Sequence, residues 1–158
     1  EGRYFAGDGA KIDEDGYIWV LGRVDDVMNV SGHRISTTEV ESALVDHQAV
    51  AEAAVVGATD AVTGQAIVGY IILKQRFEPT PELIEEIRQH VATKIGPTAR
   101  PKAVIPVPDL PKTRSGKIMR RLLRDVVEGR DLGDTTTLAD AGVVEEIRNR
   151  AASSPQED

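Results

Sequence analysis

The sequence predicts an α+β fold, with a small sheet of about three strands that is flanked by helices and entered through a β-hairpin. Short, continuous apolar runs at 53–56, 66–73 and 104–107 are typical of buried strands. Segments with apolar residues at helical spacing lie between and after these runs, and turn-forming residues separate the elements. No segment of the chain repeats another. The order of strands and helices predicts one small domain, which the chain enters through the hairpin.

The predicted hairpin begins within residues 12–24. A turn signal, Asp-Glu-Asp-Gly at 13–16, precedes the β-rich run 17–21. A second short apolar run at 27–30 is followed by Ser31-Gly32. We therefore expect the chain to enter the domain in extended conformation.

Two helices are indicated by their start and stop signals. The first is predicted to start at Thr38, because Thr38 and Glu41 have the spacing of a capping box. The second is the clearest in the chain, with Thr80 as N-cap, Pro81 in the first turn and Gly96 at its end. The apolar residues that support these two helices are Val40 and Leu44 in the first, and Leu83, Ile87, Val91 and Ile95 in the second.

Two more helices are predicted in the last third of the chain. One is expected to start at Ser115 and to continue through an apolar face that ends at Val127. A last amphipathic stretch covers 143–150, and the polar residues 151–158 are expected to be a disordered tail.

The composition excludes several classes of protein. The chain has 158 residues, a formal net charge of -7 and a pI near 5.0. This acidic balance argues against nucleic acid or an anionic membrane as the main partner. The chain has no cysteine, which excludes disulfides and thiolate sites, and no apolar run long enough to span a bilayer. Because no signal-peptide pattern opens the chain, we expect a cytoplasmic protein.

The segment 111–117, Pro-Lys-Thr-Arg-Ser-Gly-Lys, carries three cations in an otherwise acidic chain. The positive cluster extends to Arg120, Arg121 and Arg124. With a helix predicted from Ser115, Lys117 would lie at its N-terminus, where the helix dipole favours an anion. We therefore expect Lys117 to meet a phosphate or a carboxylate. The alternative is a solvated basic face beside an amphipathic helix.

Two further segments complete a recognisable pattern. They are Tyr-Phe-Ala-Gly-Asp-Gly at 4–9 and Gly-Arg-Val-Asp-Asp-Val-Met-Asn-Val-Ser-Gly-His-Arg-Ile at 22–35. Together with 111–117, they make the chain resemble the adenylate-forming enzymes, which include acyl-CoA synthetases, luciferases and peptide-synthetase adenylation domains. The runs 118–121 and 133–140 narrow the resemblance to the acetyl-CoA synthetases. A propionyl-CoA or other short-chain acyl-CoA synthetase stays open, because the acid-binding pocket belongs to the N-terminal domain.

This resemblance implies roles for single residues. Lys117 matches the lysine needed for adenylate formation, and it also matches a lysine that is acetylated on its side chain in this family. Asp25 matches the hinge between two domain orientations. The other matches are Asp8 and Arg23 as contacts to the ATP ribose, Arg34 as a contact to phosphate, and Ser31 and Gly32 as the lining of the CoA tunnel.

The resemblance also implies a magnesium site made of the backbone carbonyls of Val45, His47 and Val50. These residues follow the helix predicted at Thr38, where unpaired carbonyls point outward and suit a hard cation. The alternative is an ordinary exposed histidine after a helix.

The chain departs from the family near the CoA phosphate. Where other members often carry an arginine, this sequence has Ala92. Lys94 or Arg100 is the expected substitute.

By the same resemblance, residues 1–24 are the tail of an N-terminal adenylation domain and 25–150 are a mobile C-terminal domain. The whole enzyme would convert acetate, ATP and CoA to acetyl-CoA, AMP and diphosphate through acetyl-AMP, with ATP, CoA and Mg²⁺ as cofactors. This fragment alone would be inactive. The expected partners are the N-terminal domain of the same enzyme, a GNAT-type lysine acetyltransferase and a deacetylase, with no nucleic acid and no membrane. A different class of function is that of a binding module or protein substrate for such an acetyltransferase.

Overall fold

The computed structural model describes residues 7–23 and 26–153. It begins with the predicted hairpin, in which strands β1 (Asp8–Ile12) and β2 (Ile18–Arg23) pair antiparallel as a separate two-stranded sheet. The carboxylate of Asp13 fixes the turn, because it accepts hydrogen bonds from the Trp19 indole and from the Tyr17 N–H. The first of these is the main reason that the pKa of Asp13 lies below its usual range.

The main sheet confirms the α+β prediction and has five strands in the described part of the chain. They are β3 (Val27–Val30), β4 (His33–Ser36), β5 (Val50–Asp60), β6 (Gly64–Leu73) and β7 (Ala103–Pro106). β6 pairs antiparallel with β5 and parallel with β7, which are the three predicted core strands. The β3–β4 hairpin adds two strands to the expected three, and it joins β6 through the pair Val30–Gly64.

The described residues 7–23 and 26–153 form four α-helices, in the predicted order. They are α1 (Thr37–Asp46), α2 (Pro81–Lys94), α3 (Arg120–Val127) and α4 (Gly142–Ser153). For α2 the predicted cap is confirmed, because the Thr80 hydroxyl accepts a hydrogen bond from the Leu83 N–H at 3.2 Å. A short 3-10 helix (Pro97–Ala99) follows the predicted stop at Gly96.

Three predicted helix ends differ from the structure. α1 starts one residue earlier than expected, after Ser36, and no side-chain cap is formed, so the capping-box interpretation of Thr38 and Glu41 is wrong. α3 starts at Arg120 and not at Ser115. α4 runs through Ser153, past the predicted start of the tail at residue 151, and residues 154–158 lie outside the described part.

Helices cover both faces of the long β5–β6 hairpin, which explains its continuous apolar runs. Alternate residues point to opposite faces: Val55 packs in a cluster with α1 and α2, whereas its neighbour Val56 packs in a second cluster with α3 and α4. Tyr70 links the sheet to α3, because its buried hydroxyl donates to the Leu123 carbonyl at 3.0 Å. Burial raises the pKa of that hydroxyl above its usual range.

Among the described residues, no helix is both long and apolar enough to cross a membrane.

Candidate functional site

The loop that carries Lys117 is a tight turn and not the first turn of a helix. Residues 112–118, which we call the lysine loop, are closed at the base by an antiparallel bridge between Lys112 and Ile118. Inside it, the Thr113 N–H donates to the Lys117 carbonyl and the Gly116 N–H donates to the Thr113 carbonyl, each at 2.8 Å. Gly116 has a φ of +84°, a conformation that glycine adopts without a Cβ clash. The expectation that Lys117 lies at a helix N-terminus is therefore wrong.

The lysine loop presents its charge to solvent. The side chains of Lys117 and Arg114 are exposed, and neither forms an ion pair with any described residue. A free ammonium on a turn that is closed by backbone hydrogen bonds suits an anionic ligand.

The other cations of the predicted positive cluster are mostly neutralised by neighbouring acids. Lys112 pairs with Glu52 at 2.8 Å, and Arg121 pairs with Asp125 at 3.2 Å. Arg120 makes two hydrogen bonds to the Glu41 carboxylate, at 2.9 and 2.7 Å, and this is the main reason that the pKa of Arg120 is raised. Among the described residues, the cations of the expected patch that form no ion pair are Arg114 and Lys117, which are exposed, and Arg124, which is half-buried.

Glu41 and Glu52 are acidic partners of the cations around the lysine loop that the sequence did not indicate. Glu41 accepts from Arg120, just after the lysine loop, and also from the Val55 N–H of β5 at 2.9 Å. Glu52 accepts from Lys112 at the base of the loop. The helical spacing of Glu41 suggested a cap, and nothing in the local sequence of either glutamate indicates a partner more than 50 residues away.

Asp8 and Arg23 are brought together by the hairpin. They are directly opposite each other in the β1–β2 register, and both are exposed. Directly opposed residues place their side chains on the same face of a ribbon. The Arg23 guanidinium also lies over Gly7, where an added Cβ would be 3.0 Å from Nη2. An acceptor and a donor group thus share one face of the ribbon, which suits hydroxyl groups because a hydroxyl can both donate and accept.

Ser31 and Gly32 form the two-residue turn between β3 and β4. Both have positive φ, +49° and +81°, as the favoured type of tight hairpin turn requires. The Ser31 N–H donates to the Thr63 carbonyl at 2.9 Å, so this turn is tied to the β5–β6 turn. Arg34 follows on β4, where its side chain is exposed.

A groove beside the Ser31 turn contains one of the two expected substitutes for the missing arginine. Arg100 and Lys102 line this groove together with Ser31. Arg100 pairs with Glu85, and Lys102 pairs with Asp60 at 2.9 Å. Lys94 does not line the groove.

The second expected substitute is already engaged elsewhere. Lys94 pairs with Asp46 at 2.9 Å, and His90 also contacts this carboxylate at 2.9 Å. The hydrogen bond from Lys94 is the main reason that the pKa of Asp46 lies below its usual range.

The predicted magnesium ligands lie at the end of α1. The Ala49 N–H, which is four residues after Val45, donates to the His47 imidazole at 3.2 Å and not to the Val45 carbonyl. That carbonyl fits a cation ligand for this reason, whereas the His47 carbonyl already accepts from the Val50 N–H at 3.0 Å. His47 is 5% exposed and its imidazole contacts Glu86, so the alternative of an ordinary exposed histidine is wrong. The described residues contain no group of three or more His, Cys, Asp or Glu side chains that could hold a metal.

The structure distributes the candidate residues over several elements, including β4 with Arg34 and the end of α1 with Val45 and His47. Asp8 and Arg23 share the hairpin, Ser31 lies at the groove with Arg100, and Lys117 is on its own loop. The predicted hinge, Asp25, lies outside the described residues. These features define a class of protein: a small α+β domain that presents an exposed lysine on a turn closed by backbone hydrogen bonds.

The chain belongs to the family of AMP-binding enzyme C-terminal domains, whose model matches residues 39–117. It is 64% identical, over all of its length, to an acetyl-coenzyme A synthetase from Streptomyces coelicolor, of which it spans 24%. A crystal structure of a Brucella canis acyl-CoA synthetase is 47% identical, with a TM-score of 0.64 over 76% of this chain and 22% of the other. An ATP-bound chimera, RpMatB-BxBclM B1, is 34% identical, with a TM-score of 0.66 over 79% of this chain and 25% of the other.

Proposed function

We propose that this chain is the C-terminal domain of an ATP-dependent acetate:CoA ligase that makes acetyl-CoA through acetyl-AMP. The observation that carries the proposal is the 64% identity to an acetyl-coenzyme A synthetase across the entire chain. Since the chain spans 24% of that relative, the acyl pocket and most of the adenylate site are assigned to a preceding domain. Alone, the chain is then expected to make no acetyl-CoA.

Lys117 is assigned to the adenylation step. Attack of acetate on the α-phosphate of ATP builds negative charge between carboxylate and phosphate, and diphosphate leaves. An ammonium group held at this point stabilises that charge electrostatically. The exposure of Lys117 and the hydrogen bonds that close its loop support this role, because both leave the charge free for a ligand at a defined position.

ATP is also assigned to the hairpin and to β4. Asp8 and Arg23 would contact the ribose hydroxyls, and their direct opposition in the ribbon supports this assignment. Arg34 would reach a phosphate from an exposed position on β4. The ATP-bound state of a related chimera supports the choice of nucleotide.

CoA is assigned to the Ser31-Gly32 turn and to the groove beside it. After adenylation the domain would turn about Asp25, so that Lys117 leaves the reaction centre and this turn enters it. The boundary between the two rigid parts would then lie at residues 24 and 25, with 25–150 as the moving domain. Other family members often carry an arginine where this chain has Ala92. Arg100 is the candidate to replace that arginine as the contact to the CoA phosphate, because it lines the groove.

Magnesium is assigned to the carbonyls of Val45, His47 and Val50. A hard divalent cation prefers oxygen ligands, and the Val45 carbonyl is left without its usual helical donor. Such an ion would supply positive charge beside α1, and no step of the reaction is assigned to it.

A propionyl-CoA or other short-chain acyl-CoA synthetase is the alternative within the same class. The discriminating residues belong to the acyl pocket in the preceding domain. The sequence identity to an acetyl-coenzyme A synthetase favours acetate.

The test is a separation of the two half-reactions in the full-length enzyme. Lys117→Ala is expected to lower acetate-dependent acetyl-AMP formation by about 10²–10³-fold, the usual cost of losing a charge-stabilising donor. Thioester formation from supplied acetyl-AMP and CoA should stay within about threefold, because it uses a different surface of the domain. Lys74→Ala is the control, since Lys74 is also exposed. Equal loss in both half-reactions would contradict the assignment.

A second function is supported by the exposure of Lys117 without an ion pair among the described residues. We propose that a GNAT-type acetyltransferase modifies this lysine. Its neutral amine would attack the thioester of acetyl-CoA, forming an amide and releasing CoA, with the amine proton passing to a base of the acetyltransferase. The lost charge would stop adenylation, and a deacetylase would restore it.

A further inference from the structure

The segment 132–139, which we call the brace, follows α3 and has no assigned role. It includes most of the run Gly-Asp-Thr-Thr-Thr-Leu-Ala-Asp and lies outside the part of the chain that the family model matches. It has no regular secondary structure apart from one bridge and a turn at its end. Its hydrogen bonds nevertheless fix it at both ends.

One end of the brace is fixed to α3 by Arg121. The Arg121 guanidinium donates to the Leu132 carbonyl at 2.9 Å and also to the Asp134 carbonyl. The same side chain pairs with Asp125 on α3. Backbone carbonyls outside helices and strands are thus held by a charged donor, which forms stronger bonds than a neutral one.

The other end of the brace is joined to the lysine loop. Leu138 and Thr113 form an antiparallel bridge, and the Ala139 N–H donates to the Lys112 carbonyl at 2.9 Å. The Leu138 side chain is buried in the core cluster that also contains residues of α3 and α4. The brace therefore connects the first residues of the lysine loop to the hydrophobic core.

Inside the lysine loop, hydrogen bonds connect Thr113 to Lys117. The Thr113 hydroxyl accepts from the Lys117 N–H at 3.1 Å, and the Thr113 N–H donates to the Lys117 carbonyl at 2.8 Å. Both backbone groups of Lys117 are thus bound to the residue that the brace holds.

We propose that the brace is a positioning device for Lys117, with Arg121 and Leu138 as positioning residues that act through Thr113. This inference rests on the proposed role of Lys117 in adenylation. An exposed lysine side chain has high rotational freedom, so a fixed backbone is what limits where its ammonium group lies. Displacement of a reacting group by about 1 Å costs as much as about 100-fold in rate.

Two substitutions in the full-length enzyme test the brace from opposite sides. Arg121→Ala removes the donor to the two carbonyls. Gly133→Ala places a Cβ at 3.2 Å from the Arg121 Nη1, on a backbone with φ of +56°. The matched controls are Arg148→Ala, an exposed cation on α4, and Gly129→Ala, whose φ is +64° but whose Cβ would meet nothing within 4 Å.

The first measurement is hydrogen exchange, which does not depend on activity. Both test variants are expected to accelerate exchange about tenfold or more in peptides covering 132–140 and 111–118, because opening the brace releases the loop amides. Exchange in α1 and α2 should not change, and both controls should match the unsubstituted enzyme. Faster exchange in 132–140 with unchanged exchange in 111–118 would overturn the proposal.

The second measurement is the ratio of the half-reactions. Acetyl-AMP formation is expected to fall about tenfold in both test variants, while thioester formation from acetyl-AMP stays within about twofold. Arg121→Lys, which retains one donor group, should recover part of the adenylation rate. If Arg121→Ala unfolds the domain, the result for Gly133→Ala decides whether the brace positions Lys117, because this variant retains the Arg121 guanidinium. An enzyme that makes no acetyl-AMP even without substitution would overturn the proposed function, whereas the exchange result would still decide the brace.

Discussion

The backbone N–H of Lys117 donates to the side-chain hydroxyl of Thr113 at 3.1 Å, so a side chain four residues earlier fixes the position of the lysine. The same hydroxyl contacts the Ser115 hydroxyl at 2.9 Å. The hydroxyl oxygen of Thr113 therefore makes hydrogen bonds to two other residues of the same short loop. This arrangement makes Thr113 a residue whose removal should affect Lys117 without changing any charge.

Thr113→Val is expected to lower acetyl-AMP formation in the full-length enzyme by about tenfold, through loss of a hydrogen bond worth about 1 kcal/mol and a less defined lysine position. Valine retains the shape of threonine, so packing against the brace is preserved. Thr113→Ser retains the hydroxyl and should stay close to the unsubstituted rate. Equal activity of the valine and serine variants would show that the hydroxyl has no role.

Glu41 is expected to be the main determinant of stability near the lysine loop. Its side chain is 13% exposed, and its carboxylate accepts from Arg120 and from the Val55 N–H. Glu41→Gln should lower the free energy of unfolding by about 2 kcal/mol, because a partly buried guanidinium loses its charged partner. Denaturant unfolding measures this change. Glu146→Gln is the control, since its pair with Arg150 is exposed and within one helix, and should change stability by less than about 0.5 kcal/mol.

If Glu41→Gln leaves the free energy of unfolding unchanged, the side-chain carbonyl of glutamine accepts both hydrogen bonds in place of the carboxylate. The double variant Glu41→Gln with Arg120→Met separates this case from a weak ion pair. If the pair is strong, the double variant should be more stable than the sum of the two single effects predicts.

The sequence predicted the elements of this domain better than their connections. Thr80 and Pro81 defined the start of α2 because a capping hydroxyl and an N1 proline act within one turn. Glu41 has the same kind of local signal, yet its carboxylate is bound by Arg120, 79 residues later. Side-chain partners at that distance depend on the tertiary fold, which no local pattern contains.

The lysine loop illustrates the same limit. The apolar face that ends at Val127 suggested a helix from Ser115, but α3 begins at Arg120. Instead, the Thr113 N–H donates to the Lys117 carbonyl and the Gly116 N–H donates to the Thr113 carbonyl, and the bridge from Thr113 to Leu138 stabilises that turn. The family resemblance assigned Lys117 to a motif from the sequence alone, whereas the contacts of the brace with its loop are visible only in three dimensions.

Asp60 should make the turn beside Ser31 sensitive to acid. Its carboxylate accepts from the N–H and hydroxyl of Thr63 and from Lys102, and the bond from the Thr63 N–H is the main reason that its pKa is well below the usual range. Because the pKa is lower in the folded than in the unfolded state, the stabilisation is complete above about pH 5, begins to fall as the pH drops below about 4, and is fully lost only below the lowered pKa of the folded state.

Asp60→Asn is therefore expected to destabilise the domain at pH 7 and to have a smaller effect at pH 3. Denaturant unfolding at both values measures the difference. Asp131→Asn, at an exposed position after α3, should show no such dependence. Identical pH dependence in Asp60→Asn and in the unsubstituted chain would show that Asp60 does not contribute to acid sensitivity.

Lys117 should be the preferred acetylation site of this chain. Lys11 and Lys74 are also exposed and form no ion pair with the described residues, so they are the matched internal controls, whereas Lys102 is held by Asp60. With a GNAT-type acetyltransferase and acetyl-CoA, mass spectrometry should detect modification of Lys117 at least about tenfold faster than of either control, a difference of about 1.4 kcal/mol in transition-state free energy.

Arg114→Ala should slow the acetylation of Lys117, because Arg114 forms no ion pair with the described residues and keeps its charge for an acidic partner. Added salt should weaken the effect of Arg114. In the full-length enzyme, acetylation should abolish acetyl-AMP formation and leave thioester formation intact. Equal rates of acetylation at Lys117, Lys11 and Lys74 would contradict recognition of the lysine loop. The absence of acetylation at Lys117 would contradict it as well.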